Sequence, residues 1–234
     1  MAKITLLTPG GRSRSTGAVW SHDGKHIAYS STARDGQNAD IWIVDPHDPK
    51  SARILVQTNE PRWFVSDWSQ DGKRLLLSLQ RSAVVSELYL LDVASGQKTK
   101  LGPNSSDSGW FRAKFANDRG GAYVISNAAS DFSQLAFVDF DTKKLTVIRP
   151  DLHWDVDDLD VSPDGRFVAY LVNEDGYGKL HVLNSISRGD VPLPSLESGV
   201  INGLRWRPVG HELGFTISSA HTPGDAFSVS LDTK

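Results

Sequence analysis

The densest cluster of side chains that could bind a metal ion in this sequence is acidic. Asp155, Asp157, Asp158 and Asp160 stand close together and could offer hard oxygen ligands to calcium. The alternative, a solvated entrance to a strand, is favoured because calcium also needs neutral oxygens and Asn202 is the only obvious candidate. The seven histidines are scattered along the chain, which argues against a metal cluster. We therefore expect no metal and no cofactor.

The familiar local motifs of catalysis are missing from the sequence. There is no cysteine, which excludes thiolate catalysis, disulfides and Cys-ligated metal centres. The chain also lacks a Gly-x-Ser-x-Gly nucleophile elbow, a His-Glu-x-x-His zinc motif, a Walker loop and a Rossmann glycine fingerprint. A site assembled from dispersed residues stays open as an alternative, but the sequence predicts that this chain is not itself an enzyme.

The amino-acid composition makes nucleic acids and membranes unexpected as binding partners. The formal charge of −3 gives no basic field that would attract nucleic acid or anionic lipid. No apolar run is long enough to span a membrane, so membrane insertion is not expected. A hydrophobic fraction of 39% with seven tryptophans is sufficient for a buried core. These values predict a globular, monomeric protein that forms one domain over residues 1–234.

One landmark motif recurs five times, at intervals of 45 to 48 residues. In its clearest form it runs Trp-Ser-x-Asp-Gly-Lys, and short strand-like segments follow it in every copy. The Asp-Gly pairs suit tight hairpins, because such turns need residues that accept positive φ. The first residues of the five copies are Trp20, Trp68, Phe115, Val161 and Trp206.

Each repeat is predicted to form four antiparallel strands, A to D. In the first repeat the B, C and D strands are Ile27–Ser30, Ile41–Val44 and Arg53–Val56. Pro192 falls in an outer D strand, where a missing N–H costs little. Four-stranded sheets repeated at this spacing indicate an all-β, five-bladed β-propeller. The blades are expected at about 9–56, 57–102, 103–149, 150–194, and 195–234 together with 3–8.

The last repeat lacks its D strand, and the N-terminus carries one extra strand-like segment. The fifth repeat stops at Thr233-Lys234, where a D strand should begin, and the chain opens with Ala2-Lys3 followed by Ile4–Leu7. Placing the N-terminal segment directly after Lys234 reproduces the residue pattern that runs without interruption through Phe140–Pro150 in the third repeat. We therefore predict that Ile4–Leu7 supplies the outer strand of the last blade and closes the ring.

The landmark tryptophans are predicted to be core residues. Trp20, Trp68 and Trp206 occupy one repeat position beside the A–B turn. A large aromatic that recurs at one position of a stacked repeat is expected to pack between neighbouring blades.

The landmark, followed by Ile-Ala-Tyr-Ser and Ile-Trp-Ile-Val-Asp, resembles the repeat of TolB-type propellers and of the propeller domains of prolyl-oligopeptidase-family serine peptidases. The resemblance covers nearly the whole chain. It implies six blades for TolB and seven or eight for the peptidases, so five repeats depart from both. In the peptidases it also implies that chemistry belongs to a separate α/β-hydrolase domain.

The D–A connections carry an unusual set of aromatic and arginine residues. If strands alternate in direction, these connections share one rim of the disc with the B–C loops. Trp and Arg are enriched at binding hot spots, although the rings could instead plug the funnel or pack between blades. The residues predicted to contact a partner are Trp63, Trp110, Arg112 and Trp154.

Three functions follow from these observations. The leading one is a non-catalytic scaffold or interaction module that gates substrate access and binds a protein or peptide, possibly a hydrolase domain. A TolB-like adaptor in the bacterial envelope is the second. The third is a small hydrolase or lactonase-like enzyme with a metal in the channel, held by the Asp155–Asp160 cluster.

Overall fold

The structure, a computed structural model, describes residues 4–8, 10–103, 107–117 and 120–232. The described residues form five antiparallel sheets without an α-helix, which confirms the all-β prediction. None of them belongs to a helix long and apolar enough to cross a membrane. Two compact units divide the chain, Met1–Trp110 and Phe111–Lys234.

The first unit contains two four-stranded sheets, and in both the strands pair in chain order. Apolar side chains from the two sheets form one core cluster, which includes Ile41, Trp68 and Leu77. The first sheet consists of β1 (Ser15–Trp20), β2 (Ile27–Ser31), β3 (Asp40–Asp45) and β4 (Asp48–Val56). The second consists of β5 (Trp63–Trp68), β6 (Arg74–Gln80), β7 (Ser86–Asp92) and β8 (Lys98–Leu101).

The second unit contains three sheets, separated by two core clusters of buried apolar residues. The third sheet has four strands, β9 (Trp110–Phe115), β10 (Gly121–Ser126), β11 (Gln134–Asp139) and β12 (Leu145–Val147). The fourth has three, β13 (Asp155–Val161), β14 (Phe167–Glu174) and β15 (Tyr177–Asn184). The fifth also has three, β16 (Val200–Trp206), β17 (Glu212–Ser218) and β18 (Asp225–Ser230).

The A–B hairpins show why the landmark contains Ser and Asp-Gly. In the second sheet the Ser69 hydroxyl donates to Asp71 Oδ1 at 2.7 Å and accepts from the backbone N–H of Arg74 at 2.9 Å. Asp71 Oδ1 also accepts from the Lys73 N–H, and Gly72 has a φ of 70°. The same bonds recur in the first and fourth sheets. These acids are turn residues, as the sequence predicted.

The landmark tryptophans dock on the preceding sheet of their unit. The Trp68 indole donates to the Val19 carbonyl at 3.0 Å, and the Trp206 indole donates to the Asp160 carbonyl at 3.2 Å. Both rings are buried. The prediction for Trp20 is wrong, because 55% of its surface is exposed. Its sheet is the first of its unit, so no preceding sheet of that unit covers the ring.

Two predicted outer strands are not formed. Ile4–Leu7 is not a strand, Ile4 is 99% exposed, and the fifth sheet ends at β18. Ring closure is therefore not confirmed, and Ala2-Lys3 and Thr233-Lys234 lie outside the described residues. In the fourth sheet the expected D strand is reduced to one bridge, Leu183 to Asp190.

Candidate partner-binding surface

The first strands of the third and fourth sheets, β9 and β13, carry the charged groups of the candidate site. In four sheets the register between the first and second strands shifts once, between Thr16 and Val19, Val65 and Asp67, Val156 and Asp158, and Asn202 and Arg205. Such a bulge bends a strand and redirects its side chains. In β13 the bulge lies directly before Asp158, so it affects the direction in which this strand presents Asp158 and Asp160.

Two ion pairs connect β9 and β13 in the second unit. Arg112 Nε lies 3.2 Å from Asp158 Oδ1, and Lys114 Nζ lies 3.4 Å from Asp160 Oδ1. Both pairs join residues two apart on each strand, so they lie on one face of each strand. Asp160 Oδ2 also accepts from the backbone N–H of Trp206 at 3.0 Å, so this carboxylate links three neighbouring strands, β9, β13 and β16.

Arg112 and Trp154 are the predicted site residues that remain accessible. The Arg112 side chain is 53% exposed despite its ion pair, and Trp154 is 38% exposed. Trp154 directly precedes β13, the strand that carries Asp158, and four strand residues span at most about 14 Å. An exposed indole and an exposed guanidinium in this arrangement can offer apolar contact and hydrogen-bond donors to a partner.

Trp63 and Trp110 are buried, contrary to the expectation that they line an exposed rim. Each is only 4% exposed, and each is the first residue of a strand instead of part of a connection. The Trp63 ring packs against Tyr89 at 4.9 Å between ring centroids. A Cβ added at Gly102 would overlap the Trp110 ring, which shows how closely the backbone approaches it.

The sequence held a signal that separates these buried rings from Trp154. Trp63 and Trp110 stand five residues before the landmark, and the same position holds Val156 and Ile201 in later repeats. All four are buried, so the position is an apolar core position. Trp154 stands seven residues before its landmark, outside that column. Aligning the repeats at this position would have assigned the two rings to the core.

The charged pairs were missed for a related reason. In the sequence, Asp158 and Asp160 stand out only as part of a local acidic cluster, and no local pattern marks Lys114. The cations and carboxylates that pair are far apart in sequence but occupy equivalent positions, one and three residues before the landmark. Comparing those columns between adjacent repeats would have predicted the pairing.

The acidic cluster does not converge on a common point suited to a metal ion. Asp155 Oδ1 accepts from the Ser133 N–H at 2.7 Å, whereas Asp158 and Asp160 pair with the cations of β9. Within the described residues no three His, Asp or Glu side chains form a group that could hold a metal. The observed partners favour a structural role for these carboxylates.

One known protein family matches nearly the whole chain. Residues 11–234 match the family described as prolyl oligopeptidase, N-terminal beta-propeller domain. A search of the curated proteins found no match.

Solved structures share the fold at low sequence identity. Prolyl oligopeptidase B from Galerina marginata, bound to a 35mer hydrolysis and macrocyclization substrate, aligns with a TM-score of 0.77 and 15% identity over 94% of this chain. TolB from Acinetobacter baumannii aligns with a TM-score of 0.67 and 17% identity over 93% of this chain. The chain spans 32% of the former and 52% of the latter, so it corresponds to part of each. Its sheets and its family match together show that the chain belongs to the prolyl oligopeptidase N-terminal β-propeller family.

Proposed function

We propose that this chain is a non-catalytic propeller module that binds a peptide or protein partner and gates access to a hydrolase domain. The observation that carries the proposal is the family match over residues 11–234, in a sequence without a nucleophile elbow. The match to the peptidase propeller family favours this function over a TolB-like adaptor.

The surface around Arg112 and Trp154 supports the binding part of the proposal. Both side chains are exposed, and Phe111, which directly precedes Arg112 on β9, is also 44% exposed. The ion pair with Asp158 holds the guanidinium in place, which reduces the side-chain entropy lost when a partner binds. This surface is therefore suited to a partner with apolar and acceptor groups, such as an extended peptide.

A fluorescein-labelled, proline-containing peptide of 35 residues, the length bound by the Galerina enzyme, tests this surface. Fluorescence anisotropy should show binding to the wild-type chain. Trp154→Ala and Arg112→Gln should each raise Kd about tenfold, because a hot-spot side chain contributes about 1–2 kcal/mol.

The matched control is Phe227→Ala, since Phe227 is 40% exposed and lies outside the proposed surface. It should leave Kd unchanged. Equal Kd values for the Trp154, Arg112 and Phe227 variants would show that this surface does not bind the peptide.

The gating role also includes closure of five blades into one ring, with Ile4–Leu7 as the outer strand of the last blade. Sequence continuity between the chain ends supports closure. Because Ile4 is fully exposed and unpaired in the structure, closure requires the segment to change conformation. Deleting residues 1–8 should lower Tm or drive association, since it would leave a blade edge open. An unchanged Tm with monomeric elution would refute closure.

A further inference from the structure

Two exposed aromatic side chains flank a carboxylate at one end of the fourth sheet. Among the described residues of the second unit, Trp154 and Tyr177 are the only tryptophan and tyrosine with exposed side chains, at 38% and 52%. Tyr177 lies opposite Glu174 across the turn between β14 and β15. On the other side, β13 pairs with β14 as far as Asp155 and Asn173. Trp154 directly precedes this pair and Glu174 directly follows it, so Trp154 adjoins Glu174 at the same sheet end.

The three side chains belong to the face of the fourth sheet that packs against the third. Side chains alternate along a strand, and Val172, two residues before Glu174, is buried in the core cluster between these sheets. Val156, two residues after Trp154, is buried in the same cluster. Cross-strand partners share a face, so Tyr177 lies on the same face as Glu174. The three residues therefore form a row at the edge of this core cluster.

The spacing of the row leaves room for one more group between the two rings. Adjacent strands are about 4.8 Å apart, so the backbones at Trp154 and Tyr177, two strand spacings apart, are separated by about 10 Å. A planar group stacked between two rings needs ring planes about 7 Å apart, twice the usual contact distance of about 3.5 Å. The rings can therefore enclose one planar group directly above the Glu174 carboxylate.

The charges at this end of the sheet favour a cation. Glu174 makes no ion pair among the described residues, and Asp175 adds a second, exposed carboxylate in the adjoining turn. The cation on the neighbouring strand, Lys179, lies opposite Val172, one pair further from the sheet end. An aromatic face also attracts a cation through its quadrupole. Carboxylate and rings therefore select the same kind of group.

We propose that Trp154, Glu174 and Tyr177 form a site for an arginine side chain of the partner peptide. The guanidinium group stacks between the two rings and donates hydrogen bonds to the Glu174 carboxylate. Arginine is favoured over lysine, because its planar group stacks on aromatic faces and can donate two parallel hydrogen bonds to one carboxylate. The inference rests on the proposed function in taking the ligand to be a peptide, and it names the residue that the surface selects.

The test compares two peptides by ¹H–¹⁵N NMR of the full chain. One is the acetylated heptapeptide Ala-Gly-Ser-Arg-Ser-Gly-Ala, and the other carries citrulline, which has the shape of arginine without its charge. The arginine peptide should shift the indole N–H resonance of Trp154 and the backbone amide resonance of Tyr177. Citrulline should raise Kd about 3- to 30-fold, because the cation–π contacts and the ion pair are both lost. This comparison changes only the peptide, so it does not depend on how a variant folds.

Two variants and a matched control test the individual residues. Glu174→Gln should raise Kd for the arginine peptide about 2- to 5-fold and leave Kd for the citrulline peptide unchanged. Tyr177→Leu, which keeps apolar bulk but removes the ring, should weaken binding of the arginine peptide by a similar factor. The control Glu197→Gln removes another exposed carboxylate, outside the row, and should change neither Kd.

The outcomes separate this inference from the proposed function. Equal Kd values for the two peptides, or equal effects of Glu174→Gln and Glu197→Gln, would overturn the arginine site and leave peptide binding intact. Absence of a shift at Trp154 and Tyr177 would also overturn the site. The anisotropy of the labelled 35-residue peptide then shows whether the proposed function fails with it.

Discussion

At the scale of single residues, the two landmark tryptophans of the first unit provide a matched comparison. Trp68 is 1% exposed and donates to the Val19 carbonyl, whereas Trp20 occupies the same repeat position at 55% exposure. Trp68→Ala should lower the free energy of unfolding by about 3–5 kcal/mol, the usual effect of truncating a buried aromatic. Trp20→Ala should cost less than about 1 kcal/mol. Urea denaturation measures both, and equal losses would show that Trp20 is also covered in solution.

A histidine bridge predicts a pH dependence of stability. His211 Nε2 lies 2.8 Å from Asp164 Oδ2 in the fourth-sheet turn, and its Nδ1 lies 2.6 Å from Asp232 Oδ1 after β18. Hydrogen bonds to Asp164 and then Asp232 raise the pKa of His211 above its usual 6.5. Burial acts to raise the pKa of Asp164, but hydrogen bonds from His211 and Ser162 outweigh it and lower the pKa to about 2.

Because folding raises the pKa of His211, its contribution is fully present below pH 6.5 and is lost as the pH rises through the folded-state pKa. The difference in Tm between the wild-type chain and His211→Gln should therefore be largest near pH 6 and shrink under alkaline conditions. His47→Gln, which changes an exposed turn histidine, is the control and should show no such trend. A difference that grows with pH would contradict the charged bridge.

At the scale of strands, the two ion pairs between β9 and β13 should contribute unequally. Asp160 satisfies the backbone N–H of Trp206 as well as Lys114, so Asp160→Ala leaves a buried donor without its acceptor. We expect a loss of about 2 kcal/mol. Asp158 pairs with Arg112, which can return to water, and accepts from the adjacent Leu159 N–H at 3.0 Å. Asp158→Ala should therefore cost about 1 kcal/mol, less than Asp160→Ala, which also breaks a hydrogen bond to a neighbouring strand. Chemical denaturation gives the free energy of unfolding of each variant. A larger loss for Asp158→Ala than for Asp160→Ala would contradict this assignment.

Strand order and hairpin turns could be predicted from the sequence because their causes are local. The Ser-x-Asp-Gly bonds close within six residues, and the B and C strands are short apolar runs. The exposure of Trp20 could not be predicted in this way, because it depends on whether another sheet covers the ring. The burial of Trp63 is not a local effect either, since Tyr89 packs on it from a different strand, but the apolar position it shares with Val156 and Ile201 predicts it once the repeats are aligned.

At the scale of the whole molecule, the chain matches only the propeller part of larger peptidase relatives. It spans 32% of the Galerina enzyme and matches the N-terminal propeller family. Of the predicted site, the structure leaves Arg112 and Trp154 accessible and buries the other two residues. Partner contacts of this kind cannot be predicted from repeat periodicity, because periodicity reports the packing shared by all blades and not the surface that distinguishes one of them.

The central claim, that the chain binds peptide without cleaving it, can be tested in one sample. A labelled, proline-containing peptide of 35 residues is incubated with the purified chain, its anisotropy is recorded, and its mass is then determined. The account predicts a rise in anisotropy that saturates with protein concentration, together with a peptide of unchanged mass. Fragments whose yield scales with the concentration of the chain, or a flat anisotropy curve, would contradict it.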